Sequence, residues 1–395
     1  MMLVWCAALC AIQLPLLALL IARLMPGRAR RPPVAPVLAS SHNTTVTVIV
    51  ATLNEAERLQ PCLDGLMQQS ASLLEVLVVD SRSTDGTQAL VQIAAARDPR
   101  IALVVDEPLP DGWVGKVWAL ETGLRRARGE WVLGIDADTI PAPGLIDAVI
   151  DAAANDGYDV VSFSPRFEGQ SAGERFVQPA MLTTLVYRSG AAGATQPPPD
   201  RVLANGQCFL AKRALLLQSG GYAPARASFC DDVTLARHLA ARGARVGFLD
   251  GSRIISVRSY VSLREMWREW GRSFDLKDAT TPFGRAVDLL LVWSVQAAPL
   301  PLLIVLGSYW SALAGAGASG LTHALATTLI AINALAFTLR LFMVFALRGS
   351  YATRGVPFWL SWLADVPAAV RLTLSMMRTP KQWRGRNYTP MAAAR

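Results

Sequence analysis

Two aspartates, Asp136 and Asp138, stand two apart at the end of the apolar run "WVLGIDADT", and "IPAP" follows at once. A strand ending in Asp-x-Asp sends alternate side chains to one side while the chain turns, so both carboxylates approach one ligand. Close carboxylates repel unless a cation or proton compensates, and hard divalent ions take oxygens from Asp and phosphate together. A metal bridged to a diphosphate meets both conditions, with Asp138 as the direct ligand and Asp136 nearer the ribose or behind the metal's own ligands. The competing role is capping of a helix that begins near Pro143, for which Asp138 or Thr139 would serve.

Other polar groups invite the same comparison. Asp231 and Asp232 open the amphipathic helix of "FCDDVTLARHLAARG". There they complement the helix dipole, or Asp232 acts as a general base with Asp231 orienting it. Asp80 closes "EVLVVD" ahead of "SRSTDGT", either in a site or as the cap of a turn. Lys116, in "LPDGWVGKVWALETG", lies on a glycine-rich approach to a helix start, where it holds a phosphate or sugar or is simply a solvated charge. Arg268 and Arg272 alternate with tryptophans in "VSLREMWREWGRSFDLK". That stretch reads as a basic helix on a membrane surface, from which Arg268 or Arg272 would reach a departing diphosphate.

These residues need elements to position them. From Thr45 short β-branched runs alternate with helical ones, the pattern of a sheet covered by helices. Strands are expected at 46–51, 75–80, 101–105 and 130–136, and helices over 56–69, 86–96 and 115–127. The strands read as buried on both faces and mostly parallel. Ligands of open α/β sheets collect at the carboxyl ends of strands, where "TLNEAE", Asp80 and Asp136 all fall. No Walker motif and no G-x-G-x-x-G follow the first strand, which argues against kinase, ATPase and dehydrogenase chemistry.

The chain has 395 residues, 52% of them hydrophobic, a formal net charge of +8 and 17% charged residues. The apolar excess points to a bilayer, and the low charged fraction argues against an extended nucleic-acid surface. Residues 2–22 are apolar apart from one Gln and are followed by Arg23, Arg28, Arg30 and Arg31, so they read as an uncleaved anchor, with residues 24–44 a linker. The positive-inside rule then places the next domain, residues 45–285, in the cytoplasm. Further spans are expected over 286–313 and 325–347. Residues 357–377 are interrupted by Asp365 and Arg371 and read as an interfacial or re-entrant helix or, alternatively, a fourth span. A basic tail, 378–395, mixes Arg, Lys, Trp and Tyr in the manner of a segment at anionic headgroups. Cys6 and Cys10, four apart on one helix face, and the scattered Cys62, Cys208 and Cys230 imply no disulfide framework.

Together "ATLNEAERL", Asp80 in "VVDSRSTDGT", "DADT" and "CDDVTLARHL", in that order, resemble the family 2 glycosyltransferases. "PLPDGWVGKVWAL" is similar to their membrane-associated members linked to hopanoid and carotenoid glycosylation. The resemblance covers about residues 45–276 and implies a GT-A domain, α/β with a mostly parallel central sheet, flanked by transmembrane helices. It implies that Asn54, Glu55 and Asp80 frame the nucleotide, with Asp80 near uracil, that Asp138 binds Mg2+ or Mn2+, and that Asp232 is the base. The Gln-x-x-Arg-Trp motif of processive members is replaced by "REMWREWGRS", which departs from polymer synthesis. The implied reaction is inverting transfer of one sugar from a UDP-sugar to a membrane lipid, in a multi-pass protein of a bacterial inner membrane. Transfer to a polyprenyl phosphate, and a non-catalytic scaffold that retains the fold, are the alternatives.

Overall fold

The computed structural model describes residues 2–194, 198–258, 260, 262–273, 276, 279–308, 320–377, 382–383 and 386–387. They form two compact units, one of sheet and helices from Ala29–Glu168 and Ala192–Tyr260, the other helical, from Met1–Arg28, Gly169–Ala191 and Val261–Arg378.

The sheet unit runs β1 (Val46–Thr52), α1 (Leu59–Met67), β2 (Leu73–Asp80), α2 (Thr87–Arg97), β3 (Ile101–Val105), α3 (Gly115–Arg126) and β4 (Trp131–Asp136). It continues through β5 (Thr139–Pro141), α4 (Leu145–Asp156), β6 (Val160–Ser164), β7 (Arg166–Phe167), β8 (Phe209–Lys212) and α5 (Arg213–Gln218). α6 (Asp231–Ala241), β9 (Val246–Asp250) and β10 (Ile255–Val257) complete it. The seven-stranded sheet has the order β3-β2-β1-β4-β8-β6-β9, and β5, β10 and β7 form a small second sheet. Only β8 runs against its neighbours in the large sheet, so the expectation of a mostly parallel sheet holds.

β1 shows why the sheet sits where it does. Val48 and Val50 point into one core layer with Leu59, Leu63, Ile146 and Val149, whereas Ile49 points into the other with Val117, Leu120, Leu124 and Leu239. Alternation along a strand buried on both faces produces this division. α3 lies especially close: a Cβ on Gly123 would come within 2.5 Å of Ile49, so only glycine admits that packing. The stretch 29–44 is pinned to the sheet unit, where the Val34 amide donates to the Asp250 carbonyl at 2.8 Å and the Val37 amide to the Gly144 carbonyl at 3.2 Å.

In the helical unit, Leu3–Ala29 and Gly320–Ser350 are long and apolar enough to cross a membrane. A third crossing follows if Pro282–Ala297 and Pro299–Ser308, bent by 48°, make one span. Pro299 carries no amide hydrogen to continue the helix ladder, which accounts for the break. The expected end of that span, 309–313, and most of the basic tail lie outside the described residues. The helix Ala172–Ser189, N-capped by Ser171 and Glu174 in a reciprocal box, packs within this unit, not within the sheet unit.

Polar side chains tie these helices together. Gln13 donates to the Ser294 carbonyl at 2.9 Å and to Asn333 Oδ1 at 3.1 Å, and Arg23 and Arg188 both pair with Asp288, at 2.9 and 3.1 Å. Arg340, 1% exposed, donates from Nε to both oxygens of Asp365 at 2.8 Å. Asp365→Leu leaves that guanidinium buried and unpaired, and breaking such a pair costs about 3–5 kcal/mol. Thermal denaturation in detergent is expected to show a large loss for Asp365→Leu and recovery of most of it in Asp365→Leu/Arg340→Met. A double variant no more stable than the single one would contradict this account.

Candidate active site at the sheet rim

Register brings the rim together. Thr52 of β1 pairs with Asp80 of β2, and Ala51 with Asp136 of β4, so both aspartates flank the carboxyl end of the central strand. Beyond Asp136 the turn is held from beneath. Thr139 Oγ1 donates to the Asp136 carbonyl at 2.7 Å, the Arg258 amide donates to the Asp138 carbonyl at 3.1 Å, and β5 pairs antiparallel with β10. α4 begins only at Leu145, after Gly144 and without a side-chain cap, so neither Asp138 nor Thr139 is spent on capping it.

Lys116, in the first turn of α3, reaches across to this turn, and its Nζ lies 2.7 Å from Asp136 Oδ1. From the other side come Asp231 and Asp232, the first two residues of α6. Asp232 accepts from the Gly206 amide at 2.7 Å through Oδ2 and from the Val233 amide at 2.8 Å through Oδ1. Gly206 lies between the two groups: a Cβ there would sit 2.9 Å from Lys116 Nζ and 3.6 Å from Asp232 Oδ2. One ammonium therefore faces carboxylates from β4 and α6.

Burial and mutual repulsion set the charge states. Burial is the main force raising the pKa of Asp231, to about 7, and the neighbouring Asp232 and Asp136 add to it against the pull of Lys116. Asp232 is raised chiefly by burial too, but Lys116 and the two amides it accepts from oppose the rise. For Lys116 burial disfavours the charge, and the carboxylates of Asp136, Asp231 and Asp232 outweigh it, so the ammonium is held. A base whose pKa lies near the working pH is suited to proton transfer. Cys62 lies below the turn, 3.9 Å from the Asp136 carbonyl, and burial pushes its thiol up to about 12, which makes it inert.

The loops after β1 and β2 are laced together. The Asp80 carboxylate accepts from the Ser83 amide at 2.9 Å, Ser83 Oγ at 2.5 Å, Gln88 Nε2 at 2.7 Å and Thr52 Oγ1 at 3.2 Å. Asn54, with φ 55°, accepts from the Thr84 amide at 2.9 Å, and the Glu55 amide donates to Thr87 Oγ1 at 2.9 Å. Asn54, Glu55 and Asp80 thus share one loop cluster, in which Asp80 organises the turn through four internal donors.

Arg268 and Arg272 lie on the helix Leu263–Ser273 of the helical unit. Arg268 is an exposed side chain paired with Glu269 at 2.9 Å, and the side chain of Arg272 lies outside the described residues. The sheet unit by itself assembles Lys116, Asp136, Asp231 and Asp232, with Asp138 two residues beyond Asp136 in the same turn.

Among the described residues no group of three or more His, Cys, Asp or Glu side chains is placed to hold an ion alone. A divalent ion at Asp138 would complete its shell with oxygens of another molecule, and a diphosphate supplies hard oxygens of the kind that Mg2+ or Mn2+ takes.

Gly206 escaped the sequence reading. Its signal is the short polar interruption "ANGQ" just before the apolar "CFLAK", since glycine beside a strand marks close approach of another group. Gly206→Ala would push Lys116 away from Asp136, and misplacement of about 1 Å in a reacting site costs up to roughly 100-fold. Steady-state turnover is expected to fall by that order with a smaller loss of melting temperature than Lys116→Met shows; unaltered turnover would remove Gly206 from the site.

Residues 47–218 match the model of the family described as Glycosyl transferase family 2. The chain is 28% identical over 189 residues to Glycosyltransferase AglE of Haloferax volcanii, covering 43% of this chain and 60% of that protein. It is 30% identical over 147 residues to the undecaprenyl-phosphate 4-deoxy-4-formamido-L-arabinose transferase of Pseudomonas aeruginosa, covering 36% of this chain and 42% of that protein. The matched region thus spans less than two thirds of either relative. Among solved structures it is similar to the mannosyltransferase PcManGT of Pyrobaculum calidifontis in complex with GDP-Man and Mn2+. That likeness has TM-score 0.55 and 25% identity and covers 95% of this chain and 99% of the other. The fold is GT-A.

Proposed function

We propose, from the glycosyltransferase family 2 domain that this chain carries over residues 47–218, that it transfers a single sugar from a nucleotide diphosphate sugar to a membrane lipid with inversion at the anomeric carbon. The observation that carries this reading is the cluster at the sheet rim, where Lys116 lies 2.7 Å from Asp136 and the Gly206 amide holds Asp232 at 2.7 Å.

Asp232 acts as the general base. It takes the proton of the acceptor hydroxyl as that oxygen bonds to the anomeric carbon, while the bond from that carbon to the diphosphate breaks and the nucleoside diphosphate leaves. The two amides that Asp232 accepts from fix its direction, and Asp231 beside it tunes its charge. Asp138 would hold Mg2+ or Mn2+, which neutralises charge growing on the diphosphate when bound. Lys116 adds a positive charge on the same side, Asp136 places the donor, and Asn54, Glu55 and Asp80 form the nucleotide end. Arg268 or Arg272 is the further cation proposed for the leaving group.

The donor is proposed as a UDP-sugar and the acceptor as a hopanoid or carotenoid, following the resemblance of "PLPDGWVGKVWAL". The Pyrobaculum structure, bound to GDP-Man, makes a GDP-sugar the competing donor. The Pseudomonas relative, an undecaprenyl-phosphate 4-deoxy-4-formamido-L-arabinose transferase, favours a polyprenyl phosphate as the second acceptor reading. The apolar helices and the arginines after the first of them support a bacterial inner membrane, with anionic lipids as neighbours and the sheet unit in the cytoplasm.

The test is transfer by purified full-length protein with Mn2+ or Mg2+, labelled UDP- and GDP-sugars, and a lipid extract divided into neutral polycyclic, carotenoid and polyprenyl-phosphate fractions. Label in a neutral lipid supports the first reading, and label in the phosphate fraction supports the second. Neither transfer nor donor hydrolysis with any fraction would leave a scaffold that only retains the fold.

A further inference from the structure

Residues 355–377 are built inside out. They comprise the helices Gly355–Trp359 and Asp365–Met377 joined by the 3-10 turn Ser361–Ala364. Ser361, Asp365 and Ser375 are 0, 4 and 2% exposed, whereas Val356, Trp359, Leu360, Leu363, Val370 and Met377 are 37–78% exposed. A protein in water hides such a row of large apolar side chains and leaves its carboxylates outside; lipid reverses the preference. The same polarity continues on the adjoining helix Gly320–Leu347, against whose Phe337 Trp362 stacks at 5.5 Å, and which exposes Leu341, Phe342 and Phe345.

The two ends of the stretch return to one level. Its start follows directly on the end of Gly320–Leu347. Near its other end Arg371 donates from Nε to the Trp267 carbonyl at 2.6 Å and from Nη2 to the Arg268 carbonyl at 3.2 Å. Those carbonyls belong to Leu263–Ser273, the helix that precedes Pro282. With the bent pair taken as one span, it and the long helix cross out and back and bring residues 282 and 347 to the same face. The Arg23–Asp288 pair, 2.9 Å, brings the end of the first apolar helix to that level. Asp365 meets Arg340 seven residues before the end of its helix, about 10 Å below the end at the α-helical rise.

We infer that residues 355–377 lie within the leaflet beside that face without crossing the bilayer, with Val356 and Met377 at the headgroup level and the row from Trp359 to Val370 between them against lipid acyl chains. Asp365 is kept from lipid by Arg340, and Arg371 fastens the arginine-tryptophan helix to this embedded stretch. The segment is thus a lipid-seated clamp for Leu263–Ser273.

The five native cysteines are buried, so an introduced surface cysteine is labelled selectively. Val356→Cys and Met377→Cys, in full-length protein reconstituted in one orientation into phosphatidylethanolamine and phosphatidylglycerol vesicles, are expected to react with a membrane-impermeant maleimide from the same side. A nitroxide on Leu363→Cys is expected to be relaxed by oxygen and shielded from a water-soluble nickel complex. Labelling from opposite sides, or at neither position, would overturn the inference. So would a Leu363 nitroxide open to nickel, or one silent to both reagents because a second copy of the chain covers it.

Discussion

Asp232→Asn is expected to lower transfer by about 1,000-fold, within the range that a positioned general base contributes, while donor binding is largely kept. The substitution is nearly isosteric, so the start of α6 stays in place. Asp232 now accepts two amides, one through each oxygen, whereas Asn offers one acceptor oxygen, so either the Gly206 or the Val233 amide loses its partner. A modest drop in melting temperature should accompany the loss of rate. Asp231→Asn makes the useful contrast. Burial already raises Asp231 to about 7, so near neutral pH its uncharged form is well populated and the amide imitates it. Its loss should be much the smaller. In the unaltered protein the rate should fall as pH drops and the raised pair takes up a proton. Full turnover of Asp232→Asn at pH 8, with donor binding by titration calorimetry intact, would exclude Asp232 as the base.

Lys116→Met should remove activity and stability together, and the pH at which stability is lost tells why. Lys116 is the cation that pulls Asp231 and Asp232 down against the burial that raises them. Without it both carboxylates hold their protons to higher pH, and the acid limb of the rate profile moves upward. The sign for stability follows from linkage: a carboxyl raised on folding binds protons more tightly in the native state. Its contribution to stability therefore falls as pH rises from the ordinary carboxylate value, about 4, through the raised one. Removing the ammonium steepens that fall. Loss of one partner from a fully buried ion pair costs about 3 kcal/mol; here the groups are partly buried, so the cost should be below that, and larger at pH 8 than at pH 5, where Asp231 and Asp232, both raised, hold their protons more fully. Equal melting-temperature losses at both pH values would show that Lys116 acts through packing alone.

Much of this was legible in the chain. The first four strands came from β-branched runs bounded by turns, with boundaries shifted by a few residues, because such runs suit strands buried on both faces. The carboxylates at strand ends were visible because an acid directly after a buried run is costly unless it has a partner. β8 was not legible. It pairs with β4 and β6 in the antiparallel sense, and nothing in "FLAK" encodes a direction. Nor could the sequence say that Lys116 meets Asp136, since the contact depends on α3 packing across β1 at the Gly123 approach. Asp365 illustrates the opposite case. Its charge in an apolar segment set residues 357–377 apart from an ordinary span, yet only three-dimensional packing supplies its partner, Arg340.

The lacing of the loops after β1 and β2 bears on kinetics. Asn54, Ser83, Thr84, Asp85 and Thr87 are already joined by hydrogen bonds among themselves. Under the proposed function, a nucleotide settling there would meet walls that are set in advance, with little of its affinity diverted to ordering the chain. Association at that end should therefore proceed in a single phase with rate proportional to ligand concentration, without the plateau that a preceding loop rearrangement imposes.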